Sequence, residues 1–478
     1  MSESRRNEAS DDNPYQSPNP GSELGGTTTG QASAAKRPGP IRELTLFDSI
    51  SIIVGIIIGA GLYESTPFIA ANVSGIGWLM AAWALGGCFA LIGALCYSEL
   101  VTAYPREGGD YVFLTLAYGR RMGFLFAWAE LWVIRPGSIG AMGYVFASYA
   151  QRLFPLPLEP AHGVLSYACG SIVALTVING FGVRQGKGIQ NLLTTAKVVG
   201  LLMVFAVAFF LTPEPLAPAT PSSSDMNFPL AMIMVMFAYG GWNEMACVGA
   251  EVRDPRKNVV RALLLGTLAV TGIYIVANLA FIHALSLDGL RNSGTVAADI
   301  VGMAFGEWGA RAASLLICVS ALGAINGQIF TGARIFYAMG SDHALYAPLG
   351  RWSRRGTPIV SLAAQCAITA LLVIAVGSGD GFQRLVIFTA PPFFFFLLLV
   401  GLAVFILRRQ PADTPRPFSV PGYPLTPIVF CLSSVFMLYA SSSYAIQNHS
   451  HEALWTIGAM TIGLALSFYR PLKADRDH

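Results

Sequence analysis

The sequence predicts an all-α integral membrane protein of twelve transmembrane helices, the first and sixth of them discontinuous. Three observations carry this. Charged residues make up only 12% of the 478 and apolar residues 54%, against about 25% charged in an average soluble protein. No water-soluble core absorbs that much apolar surface. Twelve runs approach or exceed the roughly 20 mostly apolar residues that cross a bilayer. Two of these runs carry glycines and polar residues at mid-span.

Taken in order, residues 1–40 are rich in Ser, Gly, Pro, Asn and Thr. They cannot bury enough surface to fold and read as a disordered tail. The opening "MSESRRNEASDD" has no apolar stretch behind its arginines, so no cleavable signal peptide is expected. The spans then fall at about 47–72, 76–102, 122–152, 163–183, 189–212, 228–252, 258–284, 309–337, 358–377, 382–407, 424–447 and 453–470. The third is too long for a perpendicular crossing and implies tilt or an extension past the membrane. Residues 471–478 form a short second tail.

Twelve spans put both termini on one side, and the positive-inside rule says which. Of the 30 lysines and arginines, only Arg152, Arg291, Arg311 and Arg384 fall on the side opposite the N terminus. Arg135, Lys197 and Arg334 lie in or at the edge of spans, and all the others share the N-terminal side. Both termini are therefore expected in the cytoplasm, with the chain in the plasma (inner) membrane. The net charge is +3 with no basic tract, which gives no reason to expect a nucleic-acid partner. All seven cysteines sit in apolar runs without a CxxC and read as small core residues, not as a disulfide or metal framework. The six histidines, His283 and His343 among them, have no metal-ligand spacing, so neither a metal nor another cofactor is expected.

The interruptions carry the functional information. "IIVGIIIGAGLYESTP" (Ile52–Pro67) begins as a spanning helix and then meets Gly59-Ala60-Gly61. "FAYGGWNEMACVGAEV" (Phe237–Val252) does the same at Gly240-Gly241, with Asn243-Glu244 behind. A backbone break is tolerable only against protein or a wet cavity, because lipid satisfies no hydrogen bond. One break alone, with Gly55-x-x-x-Gly59, would read as a packing device. Corresponding interruptions five spans apart are instead the mark of an inverted-repeat transporter. Each break exposes unpaired N–H groups at one helix end and unpaired carbonyls at the other, with partial charges to match. A zwitterionic amino acid fits: its carboxylate on the N–H groups of Ala60, Gly61 and Leu62, its ammonium on the carbonyls of Ile57, Ile58 and Phe237. Bare glycine backbone admits that close approach.

Several segments then show a resemblance. "IIVGIIIGAGLY", "GALCYSELVTAYPREGGDYVFL" (Gly93–Leu114), "WAELWVIRP" (Trp128–Pro136), "FAYGGWNEMACVGAEVRDPRKNVVRAL" (Phe237–Leu263), "INGQIFTGARIFYAMGSD" (Ile325–Asp342) and "RPFSVPGYPLTP" (Arg416–Pro427) follow one another in order. Over about residues 40–470 the chain resembles the amino acid–polyamine–organocation transporters, and within them the L-type amino-acid transporter branch. The resemblance implies the leucine-transporter fold, with two inverted repeats of five helices (41–212 and 228–407) plus two C-terminal helices (420–470). It implies alternating access and amino-acid substrates, often handled by exchange. Gly59, Ala60 and Gly61 match the family's carboxylate-binding turn. Phe237 matches the aromatic that caps the substrate from outside, and Ala238, Gly240, Trp242 and Asn243 match the sixth-helix lining.

The chain also departs from the family. Ala60 stands where serine is frequent. "FTAPPFFFFLLL" (Phe388–Leu399) replaces a more polar tenth helix, and Pro391 and Pro392 should kink it. The phenylalanines suggest a neutral, even apolar, substrate side chain. Animal members pair with a glycoprotein through a cysteine between helices three and four. "RLFPLPLEPAHG" has none, so no disulfide-linked heavy chain is expected.

Charges inside spans are costly and therefore informative. Lys197 occupies a place where relatives carry a lysine instead of a second sodium site, which argues against sodium dependence. Two readings of it stand: a static contact, or a state-dependent tether of the first helix that gains and loses a proton. Glu130 and Arg135, five apart and so not quite on one helical face, read as structural. Glu99 and Glu251, with Arg106, Asp254 and Arg256, form an inner gate by ion pairing or else are solvated interfacial charges. Glu64 and Glu244 are expected just outward of the breaks. No GxSxG, HExxH or clustered His or Asp suggests an enzyme. The open alternatives to an exchanger are a proton-coupled symporter and a sensor that binds without transporting.

Overall fold

The computed structural model describes residues 44–59, 61–106, 108–212, 226–353, 356–377, 379–409, 416–448 and 450–468. The two expected tails, 1–40 and 471–478, lie outside the described residues, and so does Ala60. The regular structure is helical. It comprises α1 (Leu46–Ile57), α2 (Gly61–Ala71), α3 (Ile76–Ala103), α4 (Asp110–Tyr118), α5 (Arg120–Ala129), a π-helical turn (Glu130–Ile134), α6 (Arg135–Leu153), α7 (Pro160–Gly180) and α8 (Val183–Phe210). There follow α9 (Phe228–Tyr239), a 3-10 segment (Trp242–Glu251), α10 (Pro255–Asn292), α11 (Val296–Asp342), a 3-10 turn (Ala344–Tyr346), α12 (Ile359–Val376), α13 (Gly381–Arg408), α14 (Leu425–Asn448) and α15 (Ser450–Leu466).

Among the described residues, eight helices are long and apolar enough to cross a membrane, or nine if α1 and α2 count as one bent span. The chain is a multi-pass membrane protein. Three runs marked in the sequence miss that criterion for physical reasons. The run through α5 and α6 is interrupted by the π turn, with Glu130 and Arg135 at its ends. The run through α9 is split at Gly240-Gly241. α15 has only 17 residues. Burial ranks the helices: 72% of the apolar window of α11 is inside the protein, against 33% for α7 and 28% for α12. α11 is therefore central and the other two peripheral.

Local chemistry sets the ends. Thr45 and Asp48 cap α1 reciprocally, each side chain accepting the other's backbone N–H. At the far end of α2, Arg291 donates to the carbonyl of Ala70, one of the acceptors that a helix terminus leaves open, and to that of Val73 just beyond it. α10 and α11 run on past the expected spans through turns at Ser286 and Gly306, both at positive φ. α4 was not anticipated; it starts behind Gly108 and Gly109, also at positive φ.

α13 continues through Pro391 and Pro392 as one helix. Pro392 removes the donor for the Phe388 carbonyl four residues earlier. The hydroxyl of Thr456 on α15 supplies one instead, at 3.3 Å. A neighbouring helix has re-satisfied the freed group, as proline inside a membrane span requires.

One contact fixes the relative direction of the two broken helices. Leu44 donates to the Glu251 carbonyl and accepts from Arg253 N–H, both at 2.9 Å, in a parallel bridge with Val252. The start of α1 and the end of the 3-10 segment are thus at the same end of the molecule. The chain beyond Gly241 runs opposite to the chain beyond Gly59.

Candidate functional site

The α1/α2 break and the α9/3-10 break border one cavity of about 80 Å³. Ile57, Gly59, Gly61, Phe237, Ala238, Gly240 and Asn243, all named from the sequence, line it. α1 and α2 bend by 41° at their break. At the other, Gly241 has φ +110°, a conformation open to glycine and costly for other residues. A Cβ there would also lie 2.4 Å from Ile56 Cγ2. Gly59 and Gly61 differ. An added Cβ would meet nothing closer than 3.5 and 3.8 Å respectively. Packing does not demand glycine at either position, where a methyl would make only ordinary contacts.

Three candidates fall elsewhere. Ile58 and Leu62 are buried behind the lining, and the Leu62 N–H is spent on the Gly59 carbonyl at 3.3 Å. Trp242 is a correction. It follows the left-handed Gly241 and turns towards α3, where it stacks edge-on to Tyr97 with centroids 4.9 Å apart. Gly93 makes room for it: a Cβ at Gly93 would lie 2.4 Å from its ring.

Tyr274 on α10 was missed by sequence reasoning. Its hydroxyl lies 2.6 Å from the Ile57 carbonyl and 2.9 Å from that of Ala238, one on each broken helix. With a single proton it donates to one at a time. The Phe237 carbonyl accepts from Gly240 N–H at 3.0 Å. Each of these carbonyls keeps a second lone pair for a ligand.

Below the breaks lies a charged cluster. Glu130 and Arg135 were read as being off one helical face. The π turn corrects this, because its i to i+5 repeat stacks residues five apart. The Arg135 backbone N–H reaches the Glu130 carbonyl, and the side chains pair at 3.1 Å. Arg135 also pairs with Glu244 at 2.7 Å. All three residues line the cavity. Glu244, expected outward of its break, is therefore on the side of the break towards Glu251 and Leu44. Glu64 lies past the other break, where it meets the Tyr149 hydroxyl with Arg152 nearby. The antiparallel course of the two broken helices puts the two glutamates on opposite sides.

Lys197 donates to the Gly55 carbonyl at 2.6 Å, and Gly323 on α11 gives it room. It belongs to a ladder that the sequence reading saw only in part. Asn191, Thr194 and Lys197, three apart on α8, bond to Asp48, the Ser51 carbonyl and the Gly55 carbonyl of α1. The three-residue spacing of polar side chains was the available signal.

The anticipated gate partners are also corrected. Glu99 pairs with Arg408 of α13 and accepts from Val420 N–H at 2.7 Å. Glu251 pairs with Arg334 of α11 at 2.8 Å. Arg106 is half-buried in the turn after α3. The long reach of arginines on central helices brought cations that a local reading did not consider.

Comparison with known proteins agrees with this geometry. Residues 44–465 match the model of the family described as amino acid permease. The serine/threonine exchanger SteT of Bacillus subtilis is 31% identical over 406 residues, covering 83% of this chain and 90% of its own. The human b(0,+)-type amino acid transporter 1 is 30% identical, covering 89% and 87%. The mouse large neutral amino acids transporter small subunit 2 is 30% identical, covering 87% and 80%. The chain belongs to the amino acid permease family, within the amino acid–polyamine–organocation superfamily.

Proposed function

We propose that this permease carries neutral L-amino acids across the plasma (inner) membrane by alternating access, working as an exchanger. The observation that carries the reading is that both broken helices present backbone ends to one cavity. The Gly61 N–H opens α2 and attracts a carboxylate. The carbonyls of Ile57 and Phe237 close α1 and α9 and attract an ammonium. Phe237 covers the substrate. Exchange is what the name of the serine/threonine exchanger SteT states for that relative.

The architecture we infer has twelve crossings. Helices within 41–212 and 228–407 form two inverted repeats of five, and 420–470 adds two. Both termini then lie in the cytoplasm, in keeping with the arginine and lysine distribution. Glu99 with Arg408 and Glu251 with Arg334 act as inner clasps, and Lys197 tethers α1. The 154–159 connection carries no cysteine, so the chain works without a heavy chain disulfide-linked there. No step calls for enzymatic chemistry or a cofactor.

Purified protein in proteoliposomes tests this. Labelled amino-acid uptake should rise when the vesicles are preloaded with unlabelled substrate. Binding without uptake would make the protein a sensor. Uptake driven by an inward proton gradient into empty vesicles, and lost in Lys197→Met, would favour the second reading, proton symport, for which the Lys197–Gly55 contact is the specific observation.

A further inference from the structure

We infer that the substrate cavity selects amino acids whose side chains carry N–H or O–H donors, with Glu244 and Gln328 as the acceptors that read them. This rests on the proposal that the cavity holds an amino acid by its backbone. Glu244 is 8% exposed. Its Oε1 is taken by Arg135 at 2.7 Å, while Oε2 is buried without a partner. Gln328, on α11, has a buried Oε1 that also lacks a partner. Both residues line the same cavity as Gly61 and Phe237. A buried acceptor without a donor is costly, and two in one cavity are relieved together by a ligand that brings donors.

The cluster's charge points the same way. Arg135 stands against two carboxylates, Glu130 and Glu244. A side chain with a carboxylate adds a third anion and is disfavoured, whereas a hydroxyl, an amide or an ammonium is accommodated. Phe393 and Phe394 of α13 border the cavity as well. They offer apolar contact to any stem but no relief to the two oxygens. An apolar side chain would seal both acceptors away from water with nothing to bond. Sites that reject on this ground discriminate more sharply than sites that reject on size. The neutral apolar substrate suggested by the phenylalanine-rich tenth helix is thereby narrowed to a donor-bearing one.

Threonine and valine are nearly isosteric and differ by the hydroxyl, so their affinities isolate the effect. Binding to purified full-length protein is measured by ligand-induced thermal stabilisation, and by competition for uptake in proteoliposomes. Threonine should bind about tenfold or more tightly than valine. Lysine and ornithine beside serine and asparagine distinguish cationic from neutral donors. Glu244→Gln should shrink the threonine-to-valine ratio several-fold. Gln328→Met, which leaves the Arg135 pairs intact, should shrink it independently, so a misfolded Glu244 variant does not decide the matter. Valine equal to or tighter than threonine overturns the inference while leaving the carrier reading standing. A ratio unmoved by the Gln328 variant, or by both, overturns it too. If no amino acid binds, the carrier reading falls first and this inference with it.

Discussion

Replacing Arg334 by methionine would strand a carboxylate. Arg334 and Glu251 are each 1% exposed. They are joined by Nε to Oε1 at 2.8 Å and Nη2 to Oε2 at 3.4 Å. Arg334 also donates to the Phe330 carbonyl and lies 3.8 Å above the Phe330 ring. Removing one partner of a buried pair costs about 3–5 kcal/mol, because the other charge stays unpaired, whereas replacing both is often near neutral. Arg334→Met should therefore lose about 3–5 kcal/mol. Adding Glu251→Gln should recover most of it, giving a coupling energy of about 2 kcal/mol or more. Denaturant unfolding of the purified protein, run as a double-mutant cycle, reads this directly. The Glu251 carbonyl also holds Leu44 N–H, so that amide should exchange faster in the single variant. A single-variant cost below about 1 kcal/mol, or a double variant no more stable than Arg334→Met, would show that this pair does not hold the 3-10 segment to α11.

Tyr274→Phe keeps the ring and deletes the donor shared by Ile57 and Ala238. It should cost about 1–3 kcal/mol of stability, read by thermal unfolding in detergent. Gly61→Ala should fold normally, because its new methyl meets nothing within 3.8 Å. It should nonetheless weaken apparent substrate affinity about tenfold, the worth of one hindered charge-assisted hydrogen bond. Gly93→Ala should behave in the opposite way. Its methyl falls 2.4 Å from Trp242 and overpacks by about 1–3 kcal/mol, with thermal unfolding revealing the loss and substrate affinity of the surviving protein little changed. Gly241→Ala should fail on stability, since it combines φ +110° with a methyl 2.4 Å from Ile56.

Helix placement was legible because lipid enforces it. Runs such as 76–102 and 382–407 have to be apolar and long, and α3 and α13 match them closely. The breaks were legible because Gly59-Ala60-Gly61 and Gly240-Gly241 interrupt otherwise apolar spans. The charged cluster was not. A π turn adds one residue to a helical repeat and leaves no mark in composition, so Glu130 and Arg135 looked misaligned. Glu244 falls on the side opposite to Glu64 because the second broken helix runs in the reverse direction, which position along the chain does not display. Tyr274 was hidden in an apolar face, where a tyrosine looks like any other large residue. Trp242 was assigned by position in a motif, and its rotation past Gly241 is a backbone property that the motif does not encode.

The short ladder from Leu44 to Glu251 and Arg253 has a mechanical meaning. It splices the first stub of one broken helix to the last stub of the other, so neither can swing far without hauling its counterpart or snapping two peptide hydrogen bonds. If the inner doorway opens by pivoting α1, the pivoting body includes the tail of the 3-10 segment, and the Arg334 clasp becomes the latch that releases both. Spectroscopic rulers attached beside Leu44 and Val252 would then keep a constant separation throughout the cycle, while each drifts away from α8.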